Sequence, residues 1–374
     1  MDNQRIKMAI FQPSNIRTTN AFYSGPHSIF KYLQENCNYE VTYFIDDEST
    51  KFNSIAIKYL KEDKLKTFFL RGLRKIFGTF KYYWKIPYYQ NLDFNAYDVI
   101  VTEGIHWPFL DYFKSIPNKV ILQDSISYYY QLSHNQRKYL NKYFDTSLAV
   151  VVNDKIPVLY KANNLEISNE IIGYAVDLSL ISFLERRECK GRLVSVGRLV
   201  QEKGFEYIIK AIASLKDKYP NIMLDIYGQG DLRDRLQKLI QSLGLDNMVF
   251  LKGFLRHEDL LKKLNSYDLF VSCPISTENW EEYFGMANLE ALASGLPVIT
   301  TDSGAITFVM KDKAVILEQK NENQIAMAIE NFINNPRLVQ SYSIGGRKYV
   351  QENYSVPVVA NKWDKAIKGF LYGV

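Results

Sequence analysis

The sequence predicts an α/β protein made of two Rossmann-like, doubly wound parallel-sheet domains. Three observations carry that expectation. Short β-branched runs alternate with amphipathic helical segments along most of the chain. The length of 374 residues exceeds what one hydrophobic core usually fills. A charged, broken stretch, SFLERRECKGR (182–192), interrupts the alternation midway.

The elements follow in order. KMAIFQ, VTYFI, YDVIVTEG, KVILQDS and SLAVVVN read as strands of a first domain over 1–175, with SIFKYLQE as a helix between the first two. The second domain, 190–356, is punctuated more clearly. GRLVSVG, IMLDIYG, MVFLKG, LFVSC and PVITTDSG read as strands. FEYIIKAIASLKDKY, LRDRLQKLIQSLG and EDLLKKLNSY read as the helices between them. Such strand–helix alternation gives a parallel sheet covered on both faces. After Pro357, ANKWDKAIKGFLYG has the spacing of an amphipathic helix.

Composition narrows the function classes. The 47% hydrophobic content suits a soluble globular protein, and no run of about 18 apolar residues suggests a spanning helix. The opening MDNQRIKMAIFQP enters a strand-like run and does not read as a signal peptide. Three scattered cysteines, Cys37, Cys189 and Cys273, point to a reducing, cytoplasmic setting. Neither they nor the four histidines show ligand-like spacing, so no metal is expected. A dehydrogenase would place G-x-G-x-x-G directly after the first strand. Here that strand runs into QPSNIRTTNAFYSGP, whose single glycine, Gly25, comes too late.

In an open α/β sheet, ligands bind beyond the carboxyl ends of the strands. Those ends in the second domain supply Gly197-Arg198 with Lys203, Gly228 and Gly230, Phe254 after Gly253, then the run up to Glu282, and Asp302-Ser303-Gly304. Arg198 and Lys203 are cations suited to a diphosphate. A helix opening near Phe284-Gly285-Met286 adds unpaired N–H groups and a positive dipole end. Glu290, one and a half to two turns into that helix, can accept the two hydroxyls of a ribose. Glu282, just before it, can accept from sugar hydroxyls. The two carboxylates read as clamps on one nucleotide sugar rather than as an acid/base couple.

The ordered set GRLVQEKG, YGQGDL, LNSYDLFVSCP, Glu282 and Glu290 with seven residues between them, and ALASGLPVITTDSG resembles the donor half of family 4 retaining glycosyltransferases of the GT-B type. The resemblance spans roughly 192–305. It implies two domains facing a central cleft, with the helix over 357–374 returning to the first. It implies transfer of a sugar from a UDP- or GDP-linked donor, with retention at the anomeric carbon and no obligatory metal. Arg198 and Lys203 would hold the diphosphate, Glu290 the ribose and Glu282 the donor sugar. Backbone groups at Tyr283, Phe284, Gly285 and Met286 would touch sugar or phosphate, and Gly25 the diphosphate. The acceptor hydroxyl would attack on the face the diphosphate leaves, its proton passing to a phosphate oxygen.

This chain departs from the pattern in places. Ser24-Gly25 stands for paired glycines, and Ser303-Gly304-Ala305 replaces a double glycine. Gln123-Asp124 stands for a His-Asp. His106 is then the candidate cleft histidine, with Asp124 and Ser125 as acceptor-side candidates.

The charge is localised. Residues 58–90 hold nine Lys or Arg against Glu62 and Asp63, more than the whole net charge of +5. Leu65, Phe68, Phe69, Leu73, Ile76 and Phe80 recur there at helical spacing, with five tyrosines or tryptophans following Phe80. That pattern suits an interfacial helix on anionic lipid and an enzyme peripheral on the inner membrane face, with a lipid-linked or glycan acceptor. A helix packed on the first domain with a solvated basic face is the alternative. No nucleic-acid motif accompanies the charge. A transferase acting on a protein, polysaccharide or small molecule, or a silent nucleotide-sugar-binding partner, stays open.

Overall fold

The computed structural model describes residues 5–11, 25–45, 56–59, 61, 64–65, 93–103, 119–124, 134, 137–138, 141, 147–278 and 280–373. The chain divides into two units: 1–175 with 359–374, and 176–358.

Unit 1 holds β1 (Ile6–Phe11), α1 (Gly25–Asn36), β2 (Tyr39–Ile45), β3 (Ala56–Tyr59), β4 (Val99–Glu103), β5 (Val120–Asp124), β6 (Leu148–Val151), α2 (Lys155–Ala162) and β7 (Ser168–Ile171). These strands form a seven-stranded parallel sheet in the order β3-β2-β1-β4-β5-β6-β7. The central strands are mostly apolar and buried; all five residues of β5, Gln123 and Asp124 included, are buried. β3 and β7 were not expected. AIKY and SNEI are edge strands with polar, partly exposed residues, so neither carries a continuous apolar run. Lys58 of the basic segment therefore lies in a strand, with its ammonium 5.5 Å from the Phe44 ring and 5.3 Å from that of Tyr97. The interfacial helix expected over most of 58–90 falls outside the described residues.

Unit 2 begins at Val176, whose N–H donates to the Tyr354 carbonyl at 2.7 Å. It contains β8 (Arg192–Val196), α3 (Phe205–Leu215), β9 (Met223–Tyr227), α4 (Arg233–Ser242), β10 (Val249–Gly253), α5 (His257–Lys263), β11 (Leu269–Val271), α6 (Met286–Ser294), β12 (Val298–Thr301), α7 (Ile306–Met310), β13 (Val315–Leu317), α8 (Glu322–Asn334) and α9 (Pro336–Asn353). The six strands are parallel in the order β10-β9-β8-β11-β12-β13. The strand order reverses between β8 and β11, and a doubly wound sheet opens its ligand crevice at that switch point.

One core lies between this sheet and its helices. Leu193, Leu224, Ile226, Ile208, Ile212 and Ile329 are among its buried members. The apolar stripe FEYIIKAIASL of α3 supplies Phe205, Ile208, Ile209 and Ile212 at helical spacing. The last helix, α10 (Val356–Tyr372), places Trp363 against Phe30, ring centroids 5.4 Å apart. Tyr39 donates its hydroxyl to Asp364 at 2.8 Å.

Candidate functional site

The switch point is flanked by two loops, one from each central strand. The β8 loop runs Gly197 to Gly204 through a short 3-10 turn at Gln201–Lys203. The β11 loop runs Ser272 to Gly285. They are tied together where the Ile275 N–H donates to the Glu202 carbonyl at 2.8 Å. Gly204 makes that approach possible: its φ is +62°, and a β-carbon there would stand 1.9 Å from the Cys273 carbonyl oxygen.

The neighbouring loops are laced the same way. The Gly197 N–H donates to the Tyr227 carbonyl at 3.0 Å, Leu199 to Gln229 at 2.8 Å and Gly228 to Gly253 at 2.9 Å. Gly228 and Gly230 lie so close to the β8 loop that β-carbons would fall 1.8 Å from the Gly197 oxygen and 2.4 Å from that of Leu199. The strand-end glycines thus hold the loops against one another.

Across this platform Lys203 and Glu282 meet. The ammonium lies 2.5 Å from Glu282 Oε2 and 4.9 Å from the centre of the Trp280 ring. Both side chains are mostly covered. The Glu282 backbone is held independently: its N–H donates to Ser303 Oγ at 3.3 Å, and its carbonyl accepts from the Ala305 N–H at 2.8 Å. Arg198 is exposed and makes no ion pair among the described residues. A guanidinium without a carboxylate partner is open to an anionic ligand.

Helix α6 starts immediately beyond. Gly285 precedes it in the left-handed conformation, φ +80°, and no side chain caps it. The first N–H groups remain available to an anion. Phe284 is buried, its ring 5.7 Å from that of Tyr354, so only its backbone can face a ligand. Beneath the helix Asn288 donates to Thr300 Oγ1 at 3.2 Å and accepts from Ser272 Oγ at 2.7 Å, fixing α6 to β12 and to the start of the β11 loop. At the far end Arg347 donates to the Ala293 carbonyl at 2.8 Å, and the buried Arg186 guanidinium donates to the carbonyls of Ser294, Leu184, Tyr267 and Leu264.

Glu290 is the fifth residue of α6, nearer its start than expected, because the helix begins at Met286 and not at Phe284. Its Oε1 lies 2.7 Å from Nε2 of His257, a residue that sequence reasoning passed over. The hydrogen bond to Glu290 holds the His257 pKa above the usual histidine value, outweighing burial. His257 opens α5, three residues after the exposed Phe254 at the end of β10. Its position four residues past the last residue of β10, Gly253, was the only signal for it.

In unit 1, Gly25 is the first residue of α1. Asp124 ends β5, is 1% exposed and accepts the Tyr160 hydroxyl at 2.6 Å, a buried hydrogen bond that occupies its carboxylate. His106 and Ser125 lie outside the described residues. Among the described residues no group of three His, Cys, Asp or Glu could hold a metal ion, and no helix is long and apolar enough to cross a membrane.

Residues 181–349 match the family model for glycosyl transferases group 1. An uncharacterised glycosyltransferase of Methanocaldococcus jannaschii is 27% identical over 217 residues, 58% of this chain and 52% of that protein. The poly(glycerol-phosphate) alpha-glucosyltransferase of Bacillus subtilis is 31% identical over 185 residues, 49% of this chain and 26% of that protein. The chain thus matches about half or less of these relatives' length. Anabaena HepE, solved with UDP and glucose, shares the fold at a TM-score of 0.68 and 13% identity, over 98% of this chain and 100% of its own. Over residues 181–349 unit 2 therefore matches glycosyl transferases group 1, and the two parallel-sheet α/β units have the GT-B fold of glycosyltransferases.

Proposed function

We propose that this protein is a retaining glycosyltransferase that moves a sugar from a nucleotide-diphosphate donor to an acceptor hydroxyl. One observation carries the reading: the fold brings Arg198, Lys203, Glu282 and the uncapped start of α6 to one switch point. Two cations and a helix N-terminus there favour a diphosphate, and the carboxylates favour hydroxyl-rich groups.

In this reading Arg198 and Lys203 hold the diphosphate and stabilise the charge that grows on it as the bond to the anomeric carbon breaks. The acceptor oxygen bonds to that carbon on the face the diphosphate leaves, and its proton passes to the departing phosphate oxygen. Atoms and charge balance without a protein base at the reacting centre. Glu282 receives hydroxyls of the donor sugar, Glu290 those of the ribose, and backbone N–H groups at Gly285 and Met286 receive phosphate or sugar oxygens. The backbone at Tyr283 and Phe284, the loop glycines Gly197, Gly228 and Gly230, and Phe254 complete the wall. Arg198 and Lys203 make a metal-independent transfer chemically sufficient.

HepE was solved with UDP, which favours a uridine nucleotide, with a guanosine donor as the second choice. The Bacillus subtilis relative is named for a poly(glycerol-phosphate) acceptor, which favours a glycan or polyol-phosphate hydroxyl, including a lipid-linked one.

The test is nucleotide release from a panel of UDP- and GDP-sugars, with and without anionic vesicles carrying membrane-extract lipids. Release from one donor, accelerated by an acceptor and lost in Glu282→Ala with nucleotide binding retained, is the expected result. Donor binding without release under every acceptor condition would leave a silent binding partner instead.

A further inference from the structure

We infer that His257 is a positioning residue that holds the Glu290 carboxylate in the orientation that receives the two hydroxyls of a nucleotide's ribose. This rests on the nucleotide-sugar reading above. The geometry is a side-chain bridge between neighbouring elements: His257 is the first residue of the helix after β10, Glu290 comes from the helix after β11, and they meet at 2.7 Å.

The terminal torsion of a glutamate is broad and nearly two-fold, so backbone position alone does not fix the plane of its carboxylate. An imidazole N–H on Oε1 does fix it. A carboxylate offers about four lone-pair sites, so Oε2 and a second lone pair on Oε1 remain for the adjacent hydroxyls of a ribose. Glu290 is 12% exposed, so it is largely shielded by protein and needs an internal partner when no ligand is present. His257 is 40% exposed and can stay on Oε1 while a ligand approaches Oε2. The charged groups around it are Glu290 on α6 and Glu258 beside it on α5. A ribose then meets a carboxylate already oriented, and the side-chain ordering cost is met before binding.

The experiment measures, by calorimetry, the affinity of the native protein and of His257→Ala, His257→Gln and His257→Asn for UDP and GDP. The tighter nucleotide is then compared with its 2′-deoxy form. Loss of one preordered side chain should weaken the ribonucleotide roughly threefold to tenfold in His257→Ala and leave the 2′-deoxy form nearly unchanged. Gln places an N–H donor at the same reach and should restore the discrimination. Asn is polar but too short and should behave as Ala does, which keeps the test readable if the Ala variant does not fold. Equal weakening of both nucleotides in Ala and Asn would overturn the inference and leave His257 a packing residue. Absence of any UDP or GDP binding, even to the native protein, would remove the nucleotide reading and this inference with it.

Discussion

A β-carbon on Gly304 would stand 2.1 Å from the carbonyl oxygen of Glu282. The loop after β12 therefore presses directly on the backbone of a carboxylate we place on the donor sugar. Gly304 also has a φ of +59°, a conformation that costs a residue with a β-carbon about 1–2 kcal/mol. Gly304→Ala should lose at least that much stability, and it should displace Glu282. The expected outcome is a lowered melting temperature together with lost turnover. A variant that melts lower yet keeps full activity would show that the contact supports the fold alone.

Lys203 and Glu282 form one ion pair, and each has a second task once a donor enters. Lys203→Met removes a cation from the diphosphate and should cut kcat by on the order of 10²- to 10³-fold, the usual cost of one electrostatic donor. Glu282→Gln keeps a polar group of the same shape and should raise donor KM less than it lowers kcat. Steady-state kinetics on the released nucleotide separates the two, and equal effects on KM and kcat in both variants would count against these roles.

Two histidines set opposite pH responses. His27 in α1 has a pKa pushed down to about 4, first by burial and then by Lys31. Its folded pKa lies below an unfolded value of about 6.5. The stability tied to its neutral form is present above that value and is lost as pH falls toward 4. His257 is the reverse: its hydrogen bond to Glu290 raises its pKa, so its contribution is full below about 6.5 and is lost as pH rises through the folded value. Thermal melts across this range should show His27→Asn flattening the acid side of the profile and His257→Gln flattening the neutral side.

Arg186 is buried, and among the described residues no carboxylate hydrogen-bonds its guanidinium, whose pKa burial pulls down to about 10. Its partners are backbone carbonyls of Leu184, Leu264, Tyr267 and Ser294 and the Asn265 side-chain oxygen. Arg186→Met would leave several buried acceptors unpaired at about 1–3 kcal/mol each, so a loss of at least about 3 kcal/mol is expected by chemical denaturation. Arg186→Lys should recover only part of it, because one ammonium cannot reach all of these separated oxygens.

Five of the six strands of unit 2 were legible because each ends in a glycine or polar turn, so that GRLVSVG and IMLDIYG announce both the strand and its stop, whereas β13, three residues long at the sheet edge, was too short to read. The edge strands β3 and β7 were not legible either, since an edge has no second neighbour and tolerates AIKY and SNEI. At the site, residue types and spacing identified the chemistry, but they do not encode which side chains meet. Lys203 and Glu282 are 79 positions apart, and only the switch-point topology joins them. His257 belongs to no motif, and its bond to Glu290 depends on the helix after β10 beginning beside the helix after β11.

The two guanidinium groups at the far end of α6 have an effect at its near end. A nine-residue helix is about 14 Å long, short enough for its negative pole to offset a part of the field at its positive one. Arg186 and Arg347 ground that negative pole. Helix and arginines together act as a single positive source whose face is the turn at Gly285, so that changing Arg347, which we do not place on the ligand, would still be felt by an anion there as a weaker pull.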